Sequence, residues 1–175
     1  MVKKDLKLVR ISEKYVKFLS KVEPKVPYNL KNKKGRPFIG ILFTVGISLY
    51  FAPLSSPKKK HQHMPNNIDF LKIDNGKSGV INFNNMIPVP KEEISIIDIN
   101  KIEDPKYSML IVKQLHWSMN NNKKIKKHAK NLRKRSIDGT LPFNIKNRCC
   151  NFLLLEKQLE KYLEKEKQKN FDISL

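Results

Sequence analysis

The sequence predicts an α+β protein: a compact, strongly bent, barrel-like antiparallel sheet with helices around it. Three observations carry this expectation. A run without charge, Phe38 to Leu54, is rich in Ile, Phe, Val and Thr and is broken by Gly46, the pattern of a hairpin of two buried strands. Short β-rich runs bounded by Asn, Gly and Pro follow as far as Ile99. From Pro105 onward the apolar residues change to helical spacing. At 175 residues the chain can build one domain with a real core. Neither repeat nor compositional break divides it, so residues 1–175 are expected to fold as a single unit.

Each element has its own signal. Tyr15, Val16, Phe18, Leu19 and Val22 recur at helical spacing behind Ser12, which is placed to cap a short amphipathic helix. Pro24 to Pro37 reads as a lysine-bearing loop that ends in Lys33, Lys34, Gly35 and Arg36. Phe38–Val45 and Ile47–Leu54 form the hairpin. Ile68–Ile73 and Gly79–Phe83 are strands joined by an Asn75-Gly76 turn. Met86–Val89, bounded by prolines, reads as an edge or bend, and Ile94–Ile99 as a further short strand.

The C-terminal third then supplies helices. Pro105 suits a first turn, and Tyr107, Leu110, Ile111, Gln114, Leu115 and Met119 share one face. Asn120-Asn121-Asn122 separates this helix from a second, Lys123 to Ile137, in which only Ile125, Ala129 and Leu132 form an apolar stripe. Asp138-Gly139 ends it. A last helix begins after Asn151 with a seam of Leu154, Leu155, Leu159, Tyr162 and Leu163, and is expected to fray after Lys167.

Charge narrows the partner. Lysine and arginine number 36 against 16 aspartates and glutamates, a net charge of +20. Such an excess repels itself and fits a polyanionic partner: RNA, DNA or an anionic membrane surface. The uncharged run is shorter than the roughly 20 residues of a spanning helix, and it contains Gly40, Gly46 and Pro53. It therefore reads as strands, with no membrane partner. Two adjacent cysteines, Cys149 and Cys150, offer no disulfide framework and fit packing residues of a cytoplasmic protein. The second C-terminal helix places Lys123, Lys124, Lys126, Lys127, Lys130, Arg133, Lys134 and Arg135 around its narrow stripe. Cations packed so closely repel one another and read as a phosphate-binding face.

The chemistry concentrates where the uncharged run ends, at Ser55-Ser56-Pro57-Lys58-Lys59-Lys60-His61. Two hydroxyls, a stiffening proline and a lysine make a compact cradle for a phosphate. No Asp-x-Asp or His-Glu pattern marks a two-metal nuclease, and no phosphate-binding P-loop is present. His61-Gln62-His63 lacks a carboxylate partner and reads as an exposed loop rather than a metal site. The route left needs no metal or cofactor: the ribose 2′-hydroxyl attacks its own phosphate, which is possible only on RNA. That route needs a base for the 2′-oxygen, a cation for the charge gathering on phosphorus, and an acid for the leaving 5′-oxygen. Ser55, Ser56, Lys58 and His61 offer hydroxyls, a cation and an acid/base. Arg36 can reach the same phosphate across the hairpin, and Tyr15 is a further donor. A non-catalytic RNA-binding protein and a DNA-binding regulator are the alternatives. The first has no use for Ser-Ser-Pro-Lys at a strand end, and the second lacks helix-turn-helix spacing.

The order of several short motifs resembles a known family. They are Ile11-Ser12-x-Lys14-Tyr15, Phe38-Ile39-Gly40-Ile41, Ala52-Pro53-Leu54-Ser55-Ser56-Pro57-Lys58-Lys59-x-His61, and Gly79-x-Ile81-Asn82. Met86-Ile87-Pro88, Lys113-Gln114-Leu115 and Cys150-Asn151-Phe152-x-Leu154-Leu155-Glu156 follow. Together they resemble the endoribonuclease toxins of type III toxin–antitoxin systems, the ToxN and AbiQ group, and look most like AbiQ. The resemblance implies a bent barrel similar to the MazF and Kid toxins. It implies sequence-selective, metal-independent RNA cleavage leaving a 2′,3′-cyclic phosphate and a 5′-hydroxyl. It also implies a small repeated pseudoknot RNA as antitoxin, cut from a longer transcript and bound in a closed protein–RNA ring, and a role in abortive infection against phage. By position, the family's Ser/Thr–Ser–Pro–Lys core falls on Ser55, Ser56, Pro57 and Lys58, its basic residue on Arg36, its aromatic on Tyr15 and its histidine on His61. Lys58 and Arg36 are expected to hold the phosphorane charge, Ser55 and Ser56 a phosphate oxygen, and His61 or Tyr15 to move protons.

Overall fold

The computed structural model describes residues 6–28 and 35–172, so Lys33 and Lys34 lie outside the described residues. The described chain enters through a strand, β1 (Lys7–Ile11), and turns into a helix, α1 (Glu13–Ser20). Sequence reasoning did not anticipate β1. Lys7 and Arg10 dilute its apolar signal, and its partners lie far along the chain. Ser12 caps α1 as expected, accepting from the Tyr15 amide at 3.2 Å.

The expected hairpin forms with its first arm split. β2 (Phe38–Gly40) and β3 (Thr44–Val45) both run antiparallel to β4 (Ser48–Ser55). Gly46 makes the turn at φ +55°. At Gly40 a side chain would begin 2.3 Å from the Phe51 ring, so the two arms approach only because none is there. A short helix, α2 (Lys59–His63), follows β4 directly. The chain continues through β5 (Phe70–Lys72), the Asp74–Gly76 turn, β6 (Val80–Asn82), β7 (Ile87–Val89) and β8 (Ile94–Ile96).

β4 is the spine, because it changes partners along its length. Leu49, Tyr50 and Phe51 face β7, whereas Leu54 and Ser55 face β6 and Ala52 and Pro53 face β2. The change of partners bends the sheet around one strand. The order is β5–β6–β4–β2–β1–β8, with β3 and β7 attached to β4, and every pairing is antiparallel. The sheet is open and not a closed barrel, since its end strands β5 and β8 do not pair with each other. Pro88 sits inside β7, which pairs with β4 alone, so the missing N–H is tolerated on an edge as expected.

Helices α3 (Pro105–Asn120) and α4 (Asn122–Ile137) are separated only by Asn121. Asp104 caps α3, accepting from the Lys106 and Tyr107 amides at 2.9 and 3.3 Å. The buried face of α3 is Ile111, Gln114 and Ser118; Met119, expected in that seam, is exposed. In α4 the stripe is as expected, with Ile125, Ala129 and Leu132 fully buried. A short α5 (Phe143–Lys146) leads to α6 (Phe152–Asp172), which packs on β7 and α4. α6 continues as helix beyond Lys167, where fraying was expected, as far as Asp172. Cys149 and Cys150 are buried free thiols, and burial pushes their pKa values up to about 11 and about 12. They act as packing residues. Among the described residues no helix is long and apolar enough to cross a membrane.

Candidate active site

The end of β4 and the start of α3 face each other across a cleft of about 430 Å³. On the β4 side it is lined by Arg36, Ser55, Ser56 and Lys58, and on the α3 side by Asp104, Tyr107, Leu110 and Gln114. Four of the six residues expected to do chemistry therefore meet in one place. The bend of the sheet makes this possible: Leu54 donates to the Pro37 carbonyl at 2.9 Å, which brings Arg36 beside the serines. Burial lowers the Arg36 pKa from its ordinary value. A guanidinium that has already lost part of its water is a strong partner for an anion.

The loop that carries Ser55 to Lys58 is held from beneath. The Asn82 side chain on β6 donates to the Ser55 hydroxyl at 2.9 Å, so that hydroxyl is oriented before any ligand arrives. Gly79, at φ +96°, lies so close that a side chain there would begin 1.9 Å from the Ser55 carbonyl oxygen. Gly76, at φ +91°, lets the Asp74–Gly76 turn approach the His61 carbonyl in the same way. Two glycines of the β5–β6 connection thus support the whole segment. Asn82 and Gly79 were visible as sequence motifs, but their supporting role depends on contacts across the sheet.

His61 and Tyr15 do not line the cleft, which corrects both proton-transfer expectations and the expectation that His61 sits on an exposed loop. His61 is buried, with its Nδ1 accepting from the Lys58 backbone N–H at 3.2 Å. Burial, then the charges of Lys60 and Lys58, lower its pKa. Through that hydrogen bond it shapes the turn presenting Lys58. Tyr15 is fully buried, and its hydroxyl donates to the Pro88 carbonyl at 2.7 Å. Burial raises its pKa further from the neutral range. Both residues have side chains suited to catalysis, but the fold spends them inside.

The residues missed by sequence reasoning are those on α3. Tyr107, Leu110 and Gln114 were assigned to a core seam because they follow helical spacing. Asp104 is the only carboxylate among the described lining residues, and its Oδ1 is engaged by the first α3 amides. Lys59 and Lys60 are exposed on α2 next to the cleft.

The basic helix is less uniformly available than its composition suggests. Arg133 makes a bidentate pair with Glu156 of α6 at 2.8 and 2.9 Å, and Tyr50 donates to the same carboxylate. It therefore belongs to the fold, which corrects its assignment to the phosphate-binding face. Lys134 pairs with Asp138 at 2.6 Å, and Arg135 donates to the Thr140 carbonyl at 2.8 Å. Lys123, Lys124, Lys127 and Lys130 are exposed, while Lys126 is half-buried.

Residues 7–160 match the family model described as toxin ToxN of type III toxin–antitoxin systems. The chain belongs to the ToxN family. It is 31% identical over 168 residues to the endoribonuclease ToxN of Bacillus thuringiensis subsp. kurstaki, covering 93% of this chain and 87% of that protein. To the endoribonuclease ToxN of Pectobacterium atrosepticum it is 32% identical over 161 residues, covering 87% and 91%. The endoribonuclease AbiQ of Lactococcus lactis subsp. lactis is 26% identical over 170 residues, covering 91% of each, a lower identity than either ToxN protein. A solved type III toxin whose selective inhibition by a non-coding RNA pseudoknot has been described superposes with a TM-score of 0.77 at 30% identity, over 91% of this chain and 99% of that one. The relatives are RNA-cleaving enzymes, which favours that class for this ToxN-family chain over a passive RNA binder or a DNA regulator.

Proposed function

We propose that this chain is a sequence-selective endoribonuclease, the toxin of a type III toxin–antitoxin system, acting without a metal ion. The observation that carries the proposal is the convergence of Arg36, Ser55, Ser56 and Lys58 on one cleft. Two cations and two hydroxyls suit the extra negative charge of a pentacoordinate phosphorus better than they suit a divalent cation. In the proposed reaction the ribose 2′-oxygen loses its proton and attacks the adjacent phosphorus. A P–O2′ bond forms as the P–O5′ bond breaks, and the 5′-oxygen takes up a proton. The products are a 2′,3′-cyclic phosphate and a 5′-hydroxyl. Lys58 and Arg36 hold the charge of the transition state, and Ser55, pre-oriented by Asn82, positions a phosphate oxygen with Ser56.

Family membership supports the biological setting: a repeated pseudoknot RNA that the toxin cuts from a precursor and that then blocks the cleft in a closed protein–RNA ring. Phage infection is the proposed occasion for release, and the cytoplasm the proposed compartment, with cellular and phage RNA as targets. The bent sheet is proposed to share its curvature with the MazF and Kid toxins.

Incubation with RNA in excess chelator tests the chemistry. The expected result is cleavage with cyclic-phosphate ends, and with a loss of about 100- to 1,000-fold in rate for Lys58→Ala. A dependence on added divalent ions, or 5′-phosphate products, would overturn the mechanism. Folded Lys58→Ala and Ser56→Ala variants that cut at the parent rate would overturn the site. Native mass measurement after co-expression with tandem repeat RNA tests the ring, which open or variable stoichiometry contradicts.

A further inference from the structure

Gln114 is 1% exposed and lines the cleft, yet only one end of its amide is held by the protein. Its Nε2 donates to the Ser78 carbonyl at 2.9 Å. A carbonyl can only accept, so the nitrogen must face Ser78 and the oxygen must face elsewhere. That oxygen, Oε1, is buried and has no hydrogen-bond partner among the described residues. A buried acceptor left unpaired is costly, and a functional role is one of the reasons such an atom persists.

The wall of the cleft that carries Gln114 differs from the wall of cations and hydroxyls. Tyr107, Leu110 and Gln114 fall at successive turns of α3, so an aromatic ring, an aliphatic side chain and an amide share one wall. Arg36, Ser55, Ser56 and Lys58 occupy the other. A wall of cations and hydroxyls suits a phosphodiester. An aromatic and apolar wall with one unpaired amide oxygen, and with the Asp104 carboxylate at its N-terminal end already engaged by the first α3 amides, suits the face and edge of a nucleobase.

We infer that the Tyr107–Leu110–Gln114 face of α3 is a base-reading subsite, taking a base whose exocyclic amino group donates to Gln114 Oε1. This inference rests on the cleft being the cleavage site proposed above. Gln114 then selects the nucleotide adjoining the scissile phosphate. A base that turns a carbonyl toward this position sets two acceptors against each other and is rejected.

The test uses the full chain and short RNAs carrying one mapped cleavage site. At each nucleotide flanking that site the amino group is deleted without changing the ring: purine for adenine, hypoxanthine for guanine, pyrimidin-2-one for cytosine. At one flanking position, deletion is expected to lower kcat/KM about 10- to 100-fold, the range one base-reading contact supplies. The Gln114→Met variant is expected to cut the amino-bearing RNA as slowly as the parent cuts the analogue, and to cut the analogue no more slowly than the parent does. If Gln114 served only to hold Ser78, both RNAs would be cut more slowly by the same factor, and the inference would fail. Equal cutting of amino-bearing and amino-less RNAs by the parent protein, or uracil required at both flanking positions, also overturns it without recourse to any variant. Should Lys58→Ala cut normally, the cleft itself is wrong; should Lys58→Ala be inactive while the analogues are cut normally, only the base-reading inference falls.

Discussion

At the scale of single residues, the cleft depends on residues that do not line it. Gly79 has both a left-handed backbone and a carbonyl where a methyl would go. Gly79→Ala is expected to lose at least ~2 kcal/mol in stability and to cut RNA slowly, because the displaced backbone is that of Ser55. A denaturant midpoint and cleavage rate equal to the parent's would show that the loop has another support. His61 offers a pH test. Its folded pKa lies below the ordinary 6.5, so the folded state binds fewer protons there than the unfolded chain does. The stabilisation this represents is complete above pH 6.5 and is lost as pH falls through the lowered value. Melting at pH 7.5 and pH 5.5 should therefore separate more for the parent than for His61→Asn, whose side-chain oxygen can still accept from the Lys58 amide. Equal separations in the two proteins would mean that His61 does not titrate with unfolding.

At the scale of elements, α4 shows how one helix can serve two ends with one residue type. Ile125, Ala129 and Leu132 bury its stripe, and Arg133, at the edge of that stripe, pairs with Glu156, to which the Tyr50 hydroxyl also donates. Removing Arg133 leaves the half-buried Glu156 carboxylate without its cation, so Arg133→Ala should lower the free energy of unfolding by roughly 2–3 kcal/mol. Lys127→Ala and Lys130→Ala, on the exposed face, should change stability by less than about 0.5 kcal/mol. Each should instead reduce the slope of log affinity for RNA against log salt by about one. Urea titration and RNA binding at several salt concentrations separate the two sets. If Arg133→Ala weakens RNA binding at unchanged stability, its pair with Glu156 is not what holds it.

Across the whole molecule, 36 lysines and arginines face only 16 aspartates and glutamates, so ion pairing leaves most of the net charge of +20 uncompensated. RNA binding should therefore weaken steeply with ionic strength, by roughly 0.7 log units per log unit of salt for each phosphate neutralised on a single strand. A flat response would mean that stacking and shape carry recognition. The range over which each element finds its partners explains which parts were legible beforehand. The hairpin, the Asn75-Gly76 turn, α1 and the stripe of α4 depend on neighbours within a few residues, and their signals are local. The strand β1 and the split in the first hairpin arm depend on partners far along the chain, and neither was anticipated. That Ser55, Ser56 and Lys58 share one cleft was legible because one short segment carries all three.

Alone, the order of residues determined the basic character of this protein, its helices and turns, and the hydroxyl- and lysine-bearing segment at the end of the long strand, because charge, periodicity and short motifs need no distant partner. Tertiary structure alone decided that Arg36 joins the serines while Tyr15 and His61 turn inward, and that α3 supplies the opposite wall with an unpaired amide oxygen. Those outcomes depend on where a bent strand and a remote helix meet, and burial, which decides whether a reactive side chain can reach a ligand, is a property of that meeting.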